Sequence, residues 1–135
     1  MADIRKVTDD FSVAPQIAPD DLAEAARSGF TLVINNRPDG ESPDQPSNAQ
    51  MAAAAAAVGL AYLYIPVRGG PTPDQVAAVV EAVSGAPGPV LAFCRSGTRS
   101  IITWSLGQAQ SGGRSAPELV RLGAGAGYDL SGVLG

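Results

Sequence analysis

Apolar residues in this chain follow two alternating patterns: short, nearly continuous runs, and longer stretches in which they recur every three or four positions. Thr31-Leu32-Val33-Ile34, Leu60 to Val67 and Pro89-Val90-Leu91-Ala92-Phe93 are runs of the first kind, and each predicts a strand. The run from Thr31 to Ile34 is β-branched and almost wholly apolar, as expected of a strand buried on both faces. Phe11-Ser12-Val13-Ala14 alternates apolar with small or polar residues and predicts a further short strand. Pro66 falls near the end of its strand, where proline is tolerated. Tyr62 and Tyr64 share one side of that strand and are expected to pack on the sheet face.

The helical stretches carry their own start and stop signals. Pro19-Asp20-Asp21 opens a helix through Arg27, and Gly29 stands where a glycine stop belongs. An alanine-rich helix runs from about Asn48 to Val58 and ends at Gly59. Thr72 is placed as an N-cap before Pro73, and the helix that follows reaches about Val83 with Val76, Val79, Val80 and Val83 on one face. Further helices are predicted from Ile101 to about Gln110, where Trp104 reads as core, and from Pro117 to Leu122. Pro38, Gly40, Pro43 and Pro46 make Asn35 to Ser47 a loop, and Arg68 to Pro71 is another.

Strands alternating with helices predict one α/β domain over residues 1–135, with a parallel sheet of about four strands flanked by helices. A glycine-rich C-terminal tail is expected from about residue 123. The glycines from Gly123 to Gly127 follow no strand, so they read as a flexible turn rather than a nucleotide loop, and no cofactor is expected. Ligands of parallel α/β sheets bind beyond the carboxyl ends of the strands. Three loops therefore share one rim: Asn36 to Gly40, Arg68 to Gly70, and Cys94 to Arg99.

Composition narrows the chemistry. The chain has 135 residues, 45% hydrophobic and 16% charged, which suits a single globular core. Its net charge of −4, with no cluster of Lys or Arg, argues against nucleic acid or an anionic membrane as partner. Met1 to Lys6 lacks the apolar core of a secretory signal, and the alanine run from Ala52 to Ala57 is too short to span a bilayer, so a cytoplasmic location is expected. One cysteine cannot form an internal disulfide. The absence of histidine removes Ser-His-Asp and Cys-His catalysis and most zinc sites, and no metal is expected. A nucleophile here must be activated by cations, a helix terminus or backbone N–H groups.

The segment from Cys94 to Ser100 meets that requirement. Gly97 lets the backbone turn, so that the N–H groups of Arg95, Ser96, Gly97, Thr98 and Arg99 can form an anion cradle at a helix N-terminus. Cys94 stands at the mouth of this cradle, where the dipole and two guanidinium groups favour a thiolate. Arg99 is placed to bind an oxyanion bidentately, and Ser100 either to cap the helix or to donate to the Cys94 sulfur. Arg37, Asp39 and Arg68 are possible rim residues. Arg37 reads equally well as an exposed surface side chain, and Asp39 as a turn residue beside Gly40.

Phe93-Cys-Arg-Ser-Gly-Thr-Arg-Ser100 resembles the active-site loop of rhodanese sulfurtransferases. Phe11-Ser-Val-Ala-Pro-Gln16, Gly29-Phe30, Val33-Ile-Asn-Asn-Arg-Pro-Asp-Gly-Glu41 and Tyr64-Ile-Pro-Val67 resemble the phosphatase-like (sulfur transferase) domain of the beta-lactamase-hydrolase-like proteins, from about Asp3 to Trp104. That likeness implies a fold similar to cysteine-dependent dual-specificity phosphatases. It also makes a separate metallo-hydrolase a conceivable partner. Two departures from the phosphatase pattern stand out: four residues rather than five separate Cys94 from Arg99, and Phe93 replaces a histidine before the cysteine. The loop after Val67 also lacks the aspartate such phosphatases use as general acid, leaving Asp39 or Asp74 as candidates, the latter better read as a helix-capping residue. The expected function is thiol sulfurtransfer from a small anionic sulfur donor through a Cys94 persulfide. The alternatives are a phosphatase with a phosphocysteine intermediate acting on an oxyanion, or a non-catalytic anion-binding or redox-sensing module.

Overall fold

A computed structural model describes residues 2–134. In chain order its elements are β1 (Arg5–Lys6), β2 (Phe11–Ala14), α1 (Asp21–Arg27), β3 (Leu32–Asn35), α2 (Asn48–Ala57), β4 (Ala61–Tyr64), α3 (Pro73–Gly85), β5 (Val90–Phe93), α4 (Thr98–Gln110), α5 (Ala116–Gly125) and α6 (Ser131–Leu134). The strands form one sheet in the order β1-β2-β5-β3-β4. The four strands expected from the apolar runs pair in parallel, with Leu32 and Phe11 both level with Val90. A fifth is added by β1, which pairs antiparallel with β2 through Arg5↔Val13 and Lys6↔Ser12.

Side chains alternate across the strands and so divide the core in two. Ile34 and Ala92 face a cluster with Val79, Ile101, Trp104 and Leu119 from α3, α4 and α5. Val33, Leu91 and Phe93 face the other side, with Leu22 of α1 and Met51 and Ala55 of α2. Trp104 is a core residue: its ring stacks on Phe11 with centroids 4.8 Å apart and planes 5° from parallel, an arrangement worth about 0.5–1.5 kcal/mol beyond its buried area. Tyr62 packs against the second cluster.

Three boundaries differ most from the sequence expectation. β4 stops at Tyr64 rather than Val67, because Pro66 has no N–H to carry the ladder on. α4 begins at Thr98 rather than Ile101, since Gly97 turns the chain at φ +90° and the polar residues behind it already lie in the first helical turn. The glycine-rich segment from residue 123 is not a free tail. Gly123 and Gly125 complete α5, and a Cβ on Gly123 would lie 2.6 Å from Leu130 Cδ1, so the glycine there permits a close approach. Leu130, 1% exposed, belongs to the core, and α6 follows it. No described helix is long and apolar enough to cross a membrane.

Candidate active site

Asn36, the first residue of one rim loop, ties together the segments that carry the other two. Its N–H donates to the Phe93 carbonyl at 2.8 Å, and its carbonyl accepts from the Val67 N–H at 2.9 Å. Its side-chain Nδ2 donates to the Ile65 carbonyl at 2.9 Å, and its Oδ1 accepts from Ser100 Oγ at 2.8 Å. Asn36 is 1% exposed, so each of these bonds satisfies a group that water cannot reach. The Ser100 hydroxyl is thereby committed to Asn36. It neither caps α4, whose N-cap is Gly97, nor donates to the sulfur.

Cys94 directly follows β5 and is fully buried at the floor of the loop. Its Sγ accepts the Gly97 N–H at 3.1 Å. Thr98, Arg99 and Ser100 form the first turn of α4, whose backbone N–H groups lack partners within the helix, and of these the Thr98 N–H donates to Ser96 Oγ at 3.4 Å. The loop is tied from outside: the Arg95 carbonyl accepts from the Gln16 N–H at 3.2 Å, and the Ser96 carbonyl from the Tyr128 hydroxyl at 2.8 Å. Ser96 Oγ donates to Thr98 Oγ1 at 2.9 Å, stiffening the exposed side of the turn.

Arg99 and Arg37 are both bound to Glu41. Arg99 donates from Nη1 to Glu41 Oε2 at 2.7 Å, from Nη2 to Oε1 at 2.8 Å, and from Nη1 to the Val67 carbonyl at 2.9 Å. Arg37, 4% exposed, donates from Nε to Glu41 Oε1 at 3.1 Å and from Nη1 to Gln16 Oε1 at 3.1 Å. It is thus a buried part of the rim rather than a surface side chain. The Arg99 hydrogen bonds, aided by those from Arg37 and opposed by burial, bring the Glu41 carboxyl down to about 2. The same pairing, with the nearby Cys94, raises the Arg99 guanidinium further above its ordinary value.

The remaining rim candidates separate by role. Asp39 Oδ1 accepts from the Asn48 N–H at 2.7 Å, and its own N–H donates to the Tyr64 hydroxyl at 2.9 Å, so it secures the start of α2. Asp74 is exposed in the first turn of α3, where Thr72 supplies the side-chain cap. Arg68 is exposed at the edge of its loop, and Arg95 is exposed on the ring itself. Sequence reasoning placed Asn36 only as the start of a rim loop, with no role, and missed Glu41, Gln16 and Tyr128 as site residues. The Asn-Asn-Arg-Pro-Asp-Gly-Glu run after β3 was a signal for the first two, since polar residues directly beyond a buried strand lie at the ligand-binding rim.

Comparison with known proteins agrees with this fold. Residues 3–111 match a family model described as "Beta-lactamase hydrolase-like protein, phosphatase-like domain". The Beta-lactamase hydrolase-like protein of Xylella fastidiosa (strain Temecula1) is 36% identical over 125 residues, 92% of this chain. The match spans only 29% of that relative's length. Among solved structures, a candidate phosphatase from Neisseria meningitidis is similar with a TM-score of 0.84 and 30% identity, covering 96% of this chain and 92% of its own. Tk-PTP, at 22% identity, shares the fold with a TM-score of 0.69 over 91% of this chain and 86% of its own.

Proposed function

Because the chain belongs to the phosphatase-like domain family of the beta-lactamase hydrolase-like proteins, we propose that it is a cysteine-dependent phosphatase in which Cys94 is the nucleophile. The observation that supports this reading most directly is the Gly97 N–H on Cys94 Sγ at 3.1 Å, with α4 starting immediately behind it. In the first step the Cys94 thiolate attacks phosphorus. The S–P bond forms, the ester P–O bond breaks, and the leaving oxygen takes its proton from water. In the second step water attacks phosphorus, the S–P bond breaks, and orthophosphate leaves with the thiolate restored. The loop amides and Arg99 stabilise charge on the phosphoryl oxygens in both steps.

Glu41 is the carboxylate in contact with Arg99, and at about 2 it stays ionised, so it cannot donate a proton to the leaving oxygen. Esters whose leaving groups need no protonation, such as aryl phosphates, are therefore the preferred substrate class.

The same shortage of a general acid, with four residues rather than five between Cys94 and Arg99, favours a second reading, sulfurtransfer. The thiolate would attack the outer sulfur of thiosulfate, forming one S–S bond and breaking another as sulfite leaves. The persulfide would then pass its sulfur to a nucleophile such as cyanide, giving thiocyanate and the free thiolate. A separate metallo-hydrolase partner remains part of the proposal, on the resemblance alone.

The deciding experiment compares p-nitrophenyl phosphate hydrolysis with thiosulfate–cyanide turnover, using Cys94→Ser as control and intact mass to identify the covalent species. Aryl phosphate turnover with a gain of one phosphoryl group on Cys94 supports the first reading. Persulfide formation without phosphate turnover replaces it with the second, and neither species overturns both.

A further inference from the structure

Tyr128 follows α5, beyond the residues 3–111 that match the family model. Its hydroxyl donates to the Ser96 carbonyl at 2.8 Å. That carbonyl belongs to the same peptide unit as the Gly97 N–H, which donates to Cys94 Sγ at 3.1 Å. The described chain has no cis peptide, and in a planar trans peptide the C=O and N–H point in opposite directions. A donor fixed on the carbonyl therefore fixes where the N–H points.

We propose that Tyr128 is a positioning residue, whose hydroxyl locks the Ser96–Gly97 peptide so that its N–H stays on the Cys94 sulfur. The inference rests on the reading of Cys94 as the nucleophile and adds the group that aims its amide donor.

The peptide needs such a lock. Gly97 sits at φ +90° and glycine has low barriers to other conformations, so rotation of this unit away from the sulfur is otherwise easy. The preceding peptide has an outside tie of its own, from the Gln16 N–H to the Arg95 carbonyl. Tyr128 is well placed to serve as an anchor. Its N–H donates to the Gly123 carbonyl at 2.8 Å, Arg5 stacks over its ring at 5.4 Å from the centroid, and Arg5 Nη1 donates to the Ala126 carbonyl at 3.3 Å. Burial pushes the Tyr128 phenol up, so it keeps the proton it donates.

Tyr128→Phe removes the hydroxyl and keeps the ring, and the test reads two things. The first is amide hydrogen exchange at Gly97 against exchange along α5. The second is the rate of Cys94 alkylation by iodoacetamide at pH 6 and pH 10. Losing a donor to the thiolate lowers its fraction at low pH but makes each thiolate more nucleophilic. The variant should therefore react about two- to threefold more slowly at pH 6 and faster at pH 10. Gly97 exchange should quicken while α5 is unchanged. Unchanged Gly97 exchange overturns the proposal, as does faster exchange along α5 as well, which would mark Tyr128 as a general structural support. An unreactive Cys94 in the parent would overturn the nucleophile reading, while Gly97 exchange would still decide whether Tyr128 positions the peptide.

Discussion

Glu41 holds Arg99 with both carboxylate oxygens, at 2.7 and 2.8 Å, and uses one of the same oxygens to hold Arg37 at 3.1 Å. A single carboxylate thus fixes the guanidinium nearest the nucleophile and neutralises a second that is 4% exposed. Arg99 is presented to the ring in a set orientation, with its remaining positive charge available to an incoming anion.

Glu41→Gln should lower both stability and activity. It leaves the buried Arg37 guanidinium without its anion, and because the Glu41 side chain is 24% exposed the loss should be about 1–3 kcal/mol rather than the ~3–5 kcal/mol of breaking a fully buried pair. The pH dependence has a definite sign. Glu41 titrates near 2 in the folded chain against an ordinary 4.5, so its contribution is complete above about 4.5 and disappears as pH falls towards 2. Urea unfolding of parent and variant across that range should give a stability gap that narrows steadily with acid. A gap that stays constant would mean that charge pairing is not its source.

Ser100→Ala separates architecture from chemistry. The Ser100 hydroxyl serves buried Asn36 and does not touch the sulfur. Removing it leaves Asn36 Oδ1 unpaired at a cost of about 1–3 kcal/mol. Thermal or urea unfolding should register that loss, while the alkylation rate of Cys94 in the folded variant stays close to the parent's. A large fall in thiol reactivity with stability intact would assign the hydroxyl to the nucleophile instead.

How much of this was legible in the sequence follows from how local each feature is. The strands at 32–35 and 90–93 announce themselves as nearly continuous apolar runs, and that at 11–14 by its alternation of apolar with small or polar residues. β1 does not, because Arg5-Lys6 has no apolar alternation and becomes a strand only by pairing with the edge of β2. The glycines of α5 argue for a turn by propensity, yet Gly123 and Gly125 are helical, and at Gly123 the missing side chain makes room for Leu130. The anion loop is readable because Cys94, Gly97 and Arg99 lie within six residues of each other. Glu41 and Tyr128 are not, because they meet the loop only after the chain closes across 58 and 32 residues.

Gly97→Ala should be among the most damaging small substitutions in the chain. The residue sits at φ +90°, where an L side chain costs about 1–2 kcal/mol, and the added Cβ would collide with the Tyr128 hydroxyl. Relief requires moving Tyr128 off the Ser96 carbonyl or turning the Gly97 N–H off the sulfur. Stability should fall and Cys94 alkylation at pH 6 should slow, both measurable on the same preparation. Adding Tyr128→Phe should recover part of the stability, since the worst contact is removed while ring carbon Cζ still lies 3.0 Å from the added Cβ, but not the reactivity, since the lock is removed with it. Full recovery of reactivity in the double variant would show that the clash alone, and not the peptide's orientation, caused the loss.

The ring from Cys94 to Arg99 allows a test of how loop length selects the anion. Gly97 N–H already reaches the sulfur at 3.1 Å, and the next donors belong to the first turn of α4, so the cradle is closed by the helix itself. Donors stabilise charge only when they lie about 3 Å from it. A phosphoryl group on Cys94 must fit its three outer oxygens among these few amides, whereas a terminal persulfide sulfur presents one atom. Inserting a glycine between Ser96 and Gly97 adds one amide and widens the ring. The expected result is tighter binding of vanadate, a mimic of the phosphoryl transition state, and a lower ratio of sulfurtransfer to phosphate turnover than in the parent. Folding of the variant is checked first, by the near-ultraviolet signal of the buried Phe11–Trp104 pair. If the parent already binds vanadate as tightly as the insertion variant, ring length is not what separates the two chemistries, and the case for sulfurtransfer loses its main geometric support.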